Sequence, residues 1–292
     1  MIDLRSDFCA PPTEAMWEAM RTADWGDATV AELERGGAAL LGKEAALFCT
    51  TCTQANLLAL LALSEPGELV AVDPLAHVLV NEGDWLTRIT QLVPVPPDVP
   101  APLTILENTH TRRGGIYLSP GETRELASTA ERSHLDAARL PNAAAAQGVT
   151  LAALAEPVDT VALSLNKGLC APYGALLAGT FETIERAQVH SRRLGAASVH
   201  KAGIFAAAAL LALELVDRVA DDNRRARDLA AALGLPEPAT NIVLTELPAS
   251  ALPELAASGV LALAPDGKRV RLVTHAGISD EDVANAAARV AG

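Results

Sequence analysis

Two stretches carry the residue types from which amine chemistry can be built: His134-Leu135-Asp136-Ala137-Ala138-Arg139 and, further along, Ser164-Leu165-Asn166-Lys167-Gly168-Leu169. Asp136 closes an apolar step at the expected carboxyl edge of the sheet, and Lys167 is expected to end the next strand, just before a glycine. In open α/β sheets, ligands bind outside the carboxyl ends of the strands, so both side chains would face one crevice. There a lysine amine can condense with an aldehyde, and a carboxylate can keep a pyridine nitrogen protonated. That pairing suits pyridoxal 5'-phosphate (PLP), a cofactor that draws electrons out of an amino acid. On their own, an acid and a lysine at this spacing read more readily as solvated charges at strand ends.

The elements that must position them alternate in type. Thr13–Ala23 and Thr29–Leu41 have helical spacing with threonine caps, and Gly42 is a stop signal. Ala45–Cys49 is a short apolar run, and Thr53–Leu63 reads as a strong helix ending before Pro66-Gly67. Buried strands are expected at Leu69–Asp73, Ile89–Val93, Leu103–Glu107, Val161–Leu165 and Ala175–Gly179, with helices around Leu75–Leu86, Gly121–Arg132 and Leu140–Gly148. Such alternation predicts an α/β fold with a mostly parallel sheet covered on both faces. Val93–Pro102, with its five prolines, reads as a stiff surface loop. A long helical region over Lys201–Leu233 leads through Gly234-Leu235-Pro236-Glu237-Pro238 into Asn241–Leu247, Ser250–Ser258, Val270–Thr274 and Asp280–Val290, which alternate strand and helix. The expected division is a large domain, 1–235, with an N-terminal arm, and a small C-terminal α/β domain, 236–292.

Composition narrows the function classes. The chain of 292 residues is half hydrophobic and one fifth charged, which is globular, but only 3% aromatic, so its core must be built from Ala, Leu and Val. A formal net charge of -13 repels phosphate backbones and argues against nucleic acid as a partner, while a small anionic ligand feels local groups more than the total. Four cysteines imply no disulfide framework. The charged start Met1–Asp7 lacks the apolar core of a signal peptide, and Ala202–Leu213 is too short to span a bilayer, so a soluble, cytoplasmic protein is expected. No metal site is expected.

The pattern resembles the threonine aldolase / β-eliminating lyase family. The residues that carry the resemblance are Asp3-Leu4-Arg5-Ser6-Asp7, Gly42–Ala46, Thr51-Cys52-Thr53-Gln54-Ala55-Asn56, Asp73 to His77, Leu106-Glu107-Asn108-Thr109-His110, His134–Arg139, Lys167–Pro172 and Arg271-Leu272-Val273-Thr274-His275. They fall in the family's order and span nearly the whole chain. The resemblance implies an aminotransferase-like, PLP-dependent transferase fold with a mostly parallel seven-stranded sheet. It also implies a homodimer or homotetramer with shared active sites, and retro-aldol cleavage of a β-hydroxy-α-amino acid to glycine and an aldehyde. By the same resemblance Lys167 holds the cofactor, Asp136 faces its pyridine nitrogen and His77 stacks on the ring. The amides of Cys52 and Thr53, opening a helix, cradle the phosphate, as free N–H groups favour an anion. Ser6, Arg139 and Arg271 hold the substrate carboxylate, where an arginine fork matches two oxygens. His110 lies near the substrate side chain; His77, His110 or a bound water takes the hydroxyl proton.

Cys49-Thr50-Thr51-Cys52 has a redox dithiol spacing, but it coincides with the phosphate loop and is read as such; His275 is read as structural. The family pattern breaks at several points. Cys52 stands where a glycine is usual, and Asn166 where a serine precedes the lysine. A tyrosine-bearing segment is reduced to Gly26-Asp27-Ala28-Thr29. A glycine-rich stretch with an arginine becomes Gly195–Lys201, placing His200 as the cofactor-side substitute, and a loop before Leu103 is shortened. The breaks surround the phosphate and the substrate entrance and spare Asp136 and Lys167, which implies retained cofactor chemistry with an altered pocket. A transaldolase, a β-eliminating lyase and a non-catalytic relative are the alternative readings.

Overall fold

The computed structural model describes residues 1–196 and 199–291. A short first strand, β1 (Ile2–Asp3), precedes the strands of the central sheet: β2 (Ala45–Cys49), β3 (Leu69–Val72), β4 (Val93–Val95), β5 (Leu103–Glu107), β6 (Arg132–Asp136), β7 (Thr160–Ser164) and β8 (Ala175–Gly179). Three more follow: β9 (Ile242–Pro248), β10 (Val260–Leu261) and β11 (Arg269–Val273). The central sheet has seven strands in the order β2-β8-β7-β6-β5-β3-β4. β3 to β7 run parallel, and β8 runs antiparallel to both β7 and β2. All residues of β5, β7 and β8 are buried, as strands covered on both faces must be.

One core fills the face of the sheet under the helices Asp27–Leu41, Leu140–Gln147 and Gly203–Leu213, with Leu135, Val161, Leu163 and Leu176 at its centre. Alanines at 206, 208, 209 and 212 are fully buried there, which is how an aromatic-poor chain closes its layers. The opposite face carries the helix Cys52–Leu63. A second core gathers Ile2 and Leu4, Leu229 of the helix Val219–Ala232, and Val243, Val260, Leu272 and Val283. β1 pairs with β10, and β9 with β11, so the first residues of the chain lie against its last fifty.

Several boundaries differ from the sequence reading. The strand expected at Ile89–Val93 begins only at Val93, and the proline stretch opens as β4 rather than as loop. β4 is the sheet edge, where Pro94 need not donate to a neighbour on both sides. The helix expected over Leu75–Leu86 is two short ones, His77–Val80 and Trp85–Arg88, parted near Gly83, whose φ of 79° is left-handed. The helix after Gly121 ends at Ala127, and Arg132 already belongs to β6. That strand reads as polar because Ser133 and His134 bury hydrogen-bonding side chains, Ser133 Oγ on Asp159 and His134 on Thr160. Lys201–Leu233 is split between Leu213 and Val219 by turns whose amides bond three residues back. Asp27–Leu41 starts from Gly26 rather than from Thr29, while Thr13 caps its helix through Met16 N at 3.2 Å and Gly42 ends its own at φ 64°. Ala197 and Ser198, in the segment that replaces the glycine-rich stretch, lie outside the described residues.

Candidate active site at the carboxyl edge of the sheet

The carboxyl ends of β3, β5, β6 and β7 point to one edge, and the helix Cys52–Leu63 starts there. Asp136 is the last residue of β6 and is 2% exposed. Its Oδ2 accepts from Asn56 Nδ2 at 3.2 Å, and Oδ1 accepts from Ala138 N at 3.2 Å. Asn56 is held in turn: its Oδ1 lies 3.0 Å from His134 Nε2, and His134 Nδ1 lies 2.9 Å from Thr160 Oγ1. Burial pulls the His134 pKa down to about 4, so the ring is neutral. The hydroxyl then donates to Nδ1, Nε2–H to the amide oxygen, and the amide nitrogen to the carboxylate. Asp136 is thereby fixed as an acceptor of charge-assisted bonds, the form that a protonated pyridine nitrogen requires.

Lys167 lies not on a strand but three residues beyond β7, in the turn before β8. Its charge is felt at Asp7, Cys52, His77 and Glu82, which places it amid the cluster. Thr51 caps the helix through Gln54 N at 3.0 Å, leaving the amides of Cys52 and Thr53, the first two of the helix, without intrahelical acceptors. The Cys52 side chain turns away under the sheet edge, its Sγ 3.9 Å from Asp136 Oδ1 and 3.7 Å from the Ala162 carbonyl. A cysteine is thus accommodated where the family has glycine. A fixed carboxylate, a lysine, free helix amides and a half-open imidazole together fit PLP.

The cationic side of the pocket holds a committed and an uncommitted arginine. Arg139 is 4% exposed and grips the fully buried Asp7 with two bonds, Nε to Oδ2 at 2.6 Å and Nη2 to Oδ1 at 2.7 Å. Its Nη1 donates to Thr111 Oγ1 at 2.9 Å, and Nη2 also reaches Ser6 Oγ at 3.4 Å. Although burial opposes ionisation, the Arg139 charge holds the Asp7 carboxyl well below the usual range. Arg271, 7% exposed, has no carboxylate partner among the described residues. Its Nη2 meets the Arg5 carbonyl at 3.3 Å and its Nε meets nothing. Burial, and then the neighbouring Arg139 charge, lower its pKa from 12.5 to about 10. A buried cation without a counter-ion is a site built for an anion.

His77 opens the helix after β3, its side chain 32% exposed. The His77 backbone N–H donates to Glu107 Oε2 at 2.9 Å, and Glu107 Oε1 accepts from Thr111 N at 2.9 Å. His110 ends within 3.7 Å of Asp73 and 3.8 Å of Glu107, and both of its ring nitrogens are buried without a hydrogen-bond partner. Burial lowers the pKa of both rings, His77 to about 4. Burial, then the Asp136 charge, push Glu82 and Glu107 up to about 7.

Ser6, Cys52, Thr53, His77, His110, Asp136, Arg139, Lys167 and Arg271 thus belong to one connected set. His200 does not join the Asp136 network: it is exposed and lines a separate cavity of about 480 Å³ with Phe48, Thr50 and Tyr173. Cys49 and Cys52 are free thiols raised by burial, Cys49 to about 12, the reverse of a reactive dithiol. His275 Nε2 bonds the Asp3 carbonyl at 2.8 Å, a structural role. Asp7, Asn56, Glu82, Glu107 and Thr111 join the site without an assignment from the sequence. Asp7, Asn56 and Glu107 stand inside the family motifs, whereas Glu82 has no such signal.

A family model described as beta-eliminating lyase matches residues 3–101 and 97–244. The low specificity L-threonine aldolase of Escherichia coli (strain K12) is 35% identical over 331 residues, covering 99% of this chain and 98% of that protein. The low-specificity L-threonine aldolase 1 of Arabidopsis thaliana is 31% identical, covering 97% and 93%. Among solved structures, the threonine aldolase of Leishmania major superposes with a TM-score of 0.82 at 19% identity over 100% of both chains. The serine palmitoyltransferase of Sphingomonas wittichii does so with 0.76 at 18%, over 99% of this chain and 86% of that one. These structures share the fold, an aminotransferase-like arrangement around a mostly parallel sheet. With motif order, site and full-length relatives in agreement, the chain belongs to the threonine aldolase / β-eliminating lyase family.

Proposed function

We propose that this protein binds PLP at Lys167 and cleaves a threonine-like β-hydroxy-α-amino acid to glycine and an aldehyde. The observation that carries the reading is the buried Arg271, without a carboxylate partner among the described residues, beside Arg139. An amino-acid carboxylate supplies the missing counter-charge, and Arg139 and Ser6 stand next to it. When bound, PLP supplies an electron sink for the pair left when the Cα–Cβ bond breaks.

The chain's own residues do the rest. Asp136, held by Asn56 and Ala138, would be the partner of the pyridine nitrogen. The amides of Cys52 and Thr53 would receive the phosphate. Arg271 orients the carboxylate through a planar fork that an ammonium could not reproduce. His110 has ring nitrogens free of partners and a pKa lowered by burial, so it is neutral at physiological pH and can take the β-hydroxyl proton.

A second copy of the chain completes the proposal. Phe8, Trp17 and Trp25 are half exposed in a protein with only nine aromatic side chains, which supports a homo-oligomer. Four unpaired cysteines suit a reducing cytoplasmic setting. Product analysis of the PLP-loaded protein with L- and D-threonine, their allo forms and β-phenylserine tests the reaction. Glycine with the matching aldehyde is expected. Ammonia and an oxo acid without glycine would instead mark β-elimination, and no turnover of any of them would refute the reading.

A further inference from the structure

The helix His77–Val80 closes on Asn81, which bonds His77 twice. The Asn81 amide N–H donates to the His77 carbonyl at 2.9 Å, and its side-chain Nδ2 lies 2.9 Å from His77 Nδ1. The orientation of that side-chain amide is fixed from outside. Asn81 Oδ1 lies 2.7 Å from Arg112 Nη2, and a guanidinium offers only donors, so the amide oxygen must face it. What meets the imidazole is therefore an NH₂ group, a donor only, and Nδ1 must be the bare nitrogen of the ring. In a neutral ring the proton then sits on Nε2.

Nε2 faces Glu82 Oε1 at 3.6 Å. Glu82 has a side chain only 2% exposed. Its Oε1 accepts from Thr53 Oγ1 at 2.9 Å and from Asn56 Nδ2 at 3.3 Å. Asn56 Nδ2 is the same group that holds Asp136. One buried carboxyl group thus touches Thr53 of the phosphate loop and Asn56, which holds Asp136, and faces the imidazole that would cover the ring.

We propose that Asn81 and Glu82 are positioning residues that hold His77 as its Nε2–H tautomer, so that His77 serves as a stacking surface and hydrogen-bond donor and not as the proton acceptor. The tautomer stands on the geometry alone; its meaning for catalysis rests on the reading above. The ring stays neutral because burial outweighs the charges that face it. Asp136 favours protonation there, while Lys167, Arg139 and Arg112 oppose it. Glu82, which titrates near 7 between Asp136 and Lys167, changes the charge beside Nε2 without moving the proton to Nδ1.

Nitrogen NMR of the ring in ¹⁵N-histidine-labelled protein tests this, with the His77 signals assigned by their loss in His77→Asn. The cofactor-free protein should show one tautomer, with Nδ1 unprotonated and Nε2 protonated. That tautomer should persist through the range in which free histidine titrates, with a small Nε2 shift as Glu82 ionises. Glu82→Gln should keep the tautomer and abolish that shift. Asn81→Asp replaces the donor with an obligate acceptor and should move a proton onto Nδ1. A wild-type ring that carries its proton on Nδ1, populates both tautomers, or ionises at the ordinary histidine value overturns the proposal. An Asn81→Asp spectrum identical to wild type does so too. The measurement needs neither substrate nor turnover: a protein that shows the tautomer and cleaves no β-hydroxy amino acid refutes the functional reading alone.

Discussion

Arg271 allows a prediction with opposite signs for stability and binding. Its guanidinium is buried against the Arg5 carbonyl and the like-charged Arg139, and its pKa falls from 12.5 to about 10. At about 1.4 kcal/mol per pH unit, that difference is a destabilisation of about 3 kcal/mol. At neutral pH the group is protonated both folded and unfolded, so the whole penalty is present; it is relieved only as pH rises through about 10 towards 12.5. Arg271→Met removes the charge and keeps most of the apolar stem. The lost bond to the Arg5 carbonyl takes back about 1 kcal/mol, leaving a gain of about 2 kcal/mol. At about 2 °C per kcal/mol for a chain of this size, the cofactor-free variant should melt about 4 °C higher than wild type. The same substitution removes a charged hydrogen-bonding partner of the substrate carboxylate. Amino-acid binding should weaken by roughly 1.5–3 kcal/mol, ten- to hundredfold in Kd. Arg271→Lys should recover only part of that loss. Calorimetric melting and glycine titration of the PLP-loaded protein measure the two effects side by side. A variant that melts lower than wild type and binds glycine as well would refute both the unpaired cation and the carboxylate site.

Two further outcomes follow from the same pocket. Asp7→Ala strands the Arg139 guanidinium with only hydroxyl partners, so it should lower unfolding free energy by about 3–5 kcal/mol, the range for a broken buried pair, measured by urea denaturation. Asp136→Asn preserves the shape of the Asn56 contact but removes the charge. It should retain cofactor and lose turnover by on the order of 10²–10³-fold, the scale of one preorganised electrostatic partner, measured as kcat at checked PLP occupancy.

Asp136 and Lys167 were legible through the order of the family motifs around them, since an acid and a lysine at this spacing read alone as solvated charges at strand ends. The pairing of Asp7 with Arg139 was not, since it joins residues 132 positions apart and each alone reads as a substrate or surface group. Glu82 was hidden inside a stretch that looked like one continuous helix, and only the break near Gly83 turns it inward. β4 escaped because its one proline, Pro94, suits an edge strand as well as a loop, and β6 because its buried polar side chains find partners on neighbouring elements. The break between Leu213 and Val219 contains neither glycine nor proline and leaves no local signal. Local pattern thus reported which residues lie at the sheet edge, while their charge partners were decided by tertiary contacts.

The central claim is that Lys167 holds the cofactor opposite Asp136. Borohydride reduction of the PLP-loaded protein, followed by proteolysis and mass spectrometry of the peptides, tests it most directly. The reduced cofactor is expected on the peptide containing Lys167, and its disappearance from that peptide is expected in Lys167→Ala. A protein that takes up no PLP, or carries the label on another lysine while Lys167 stays unmodified, would contradict it.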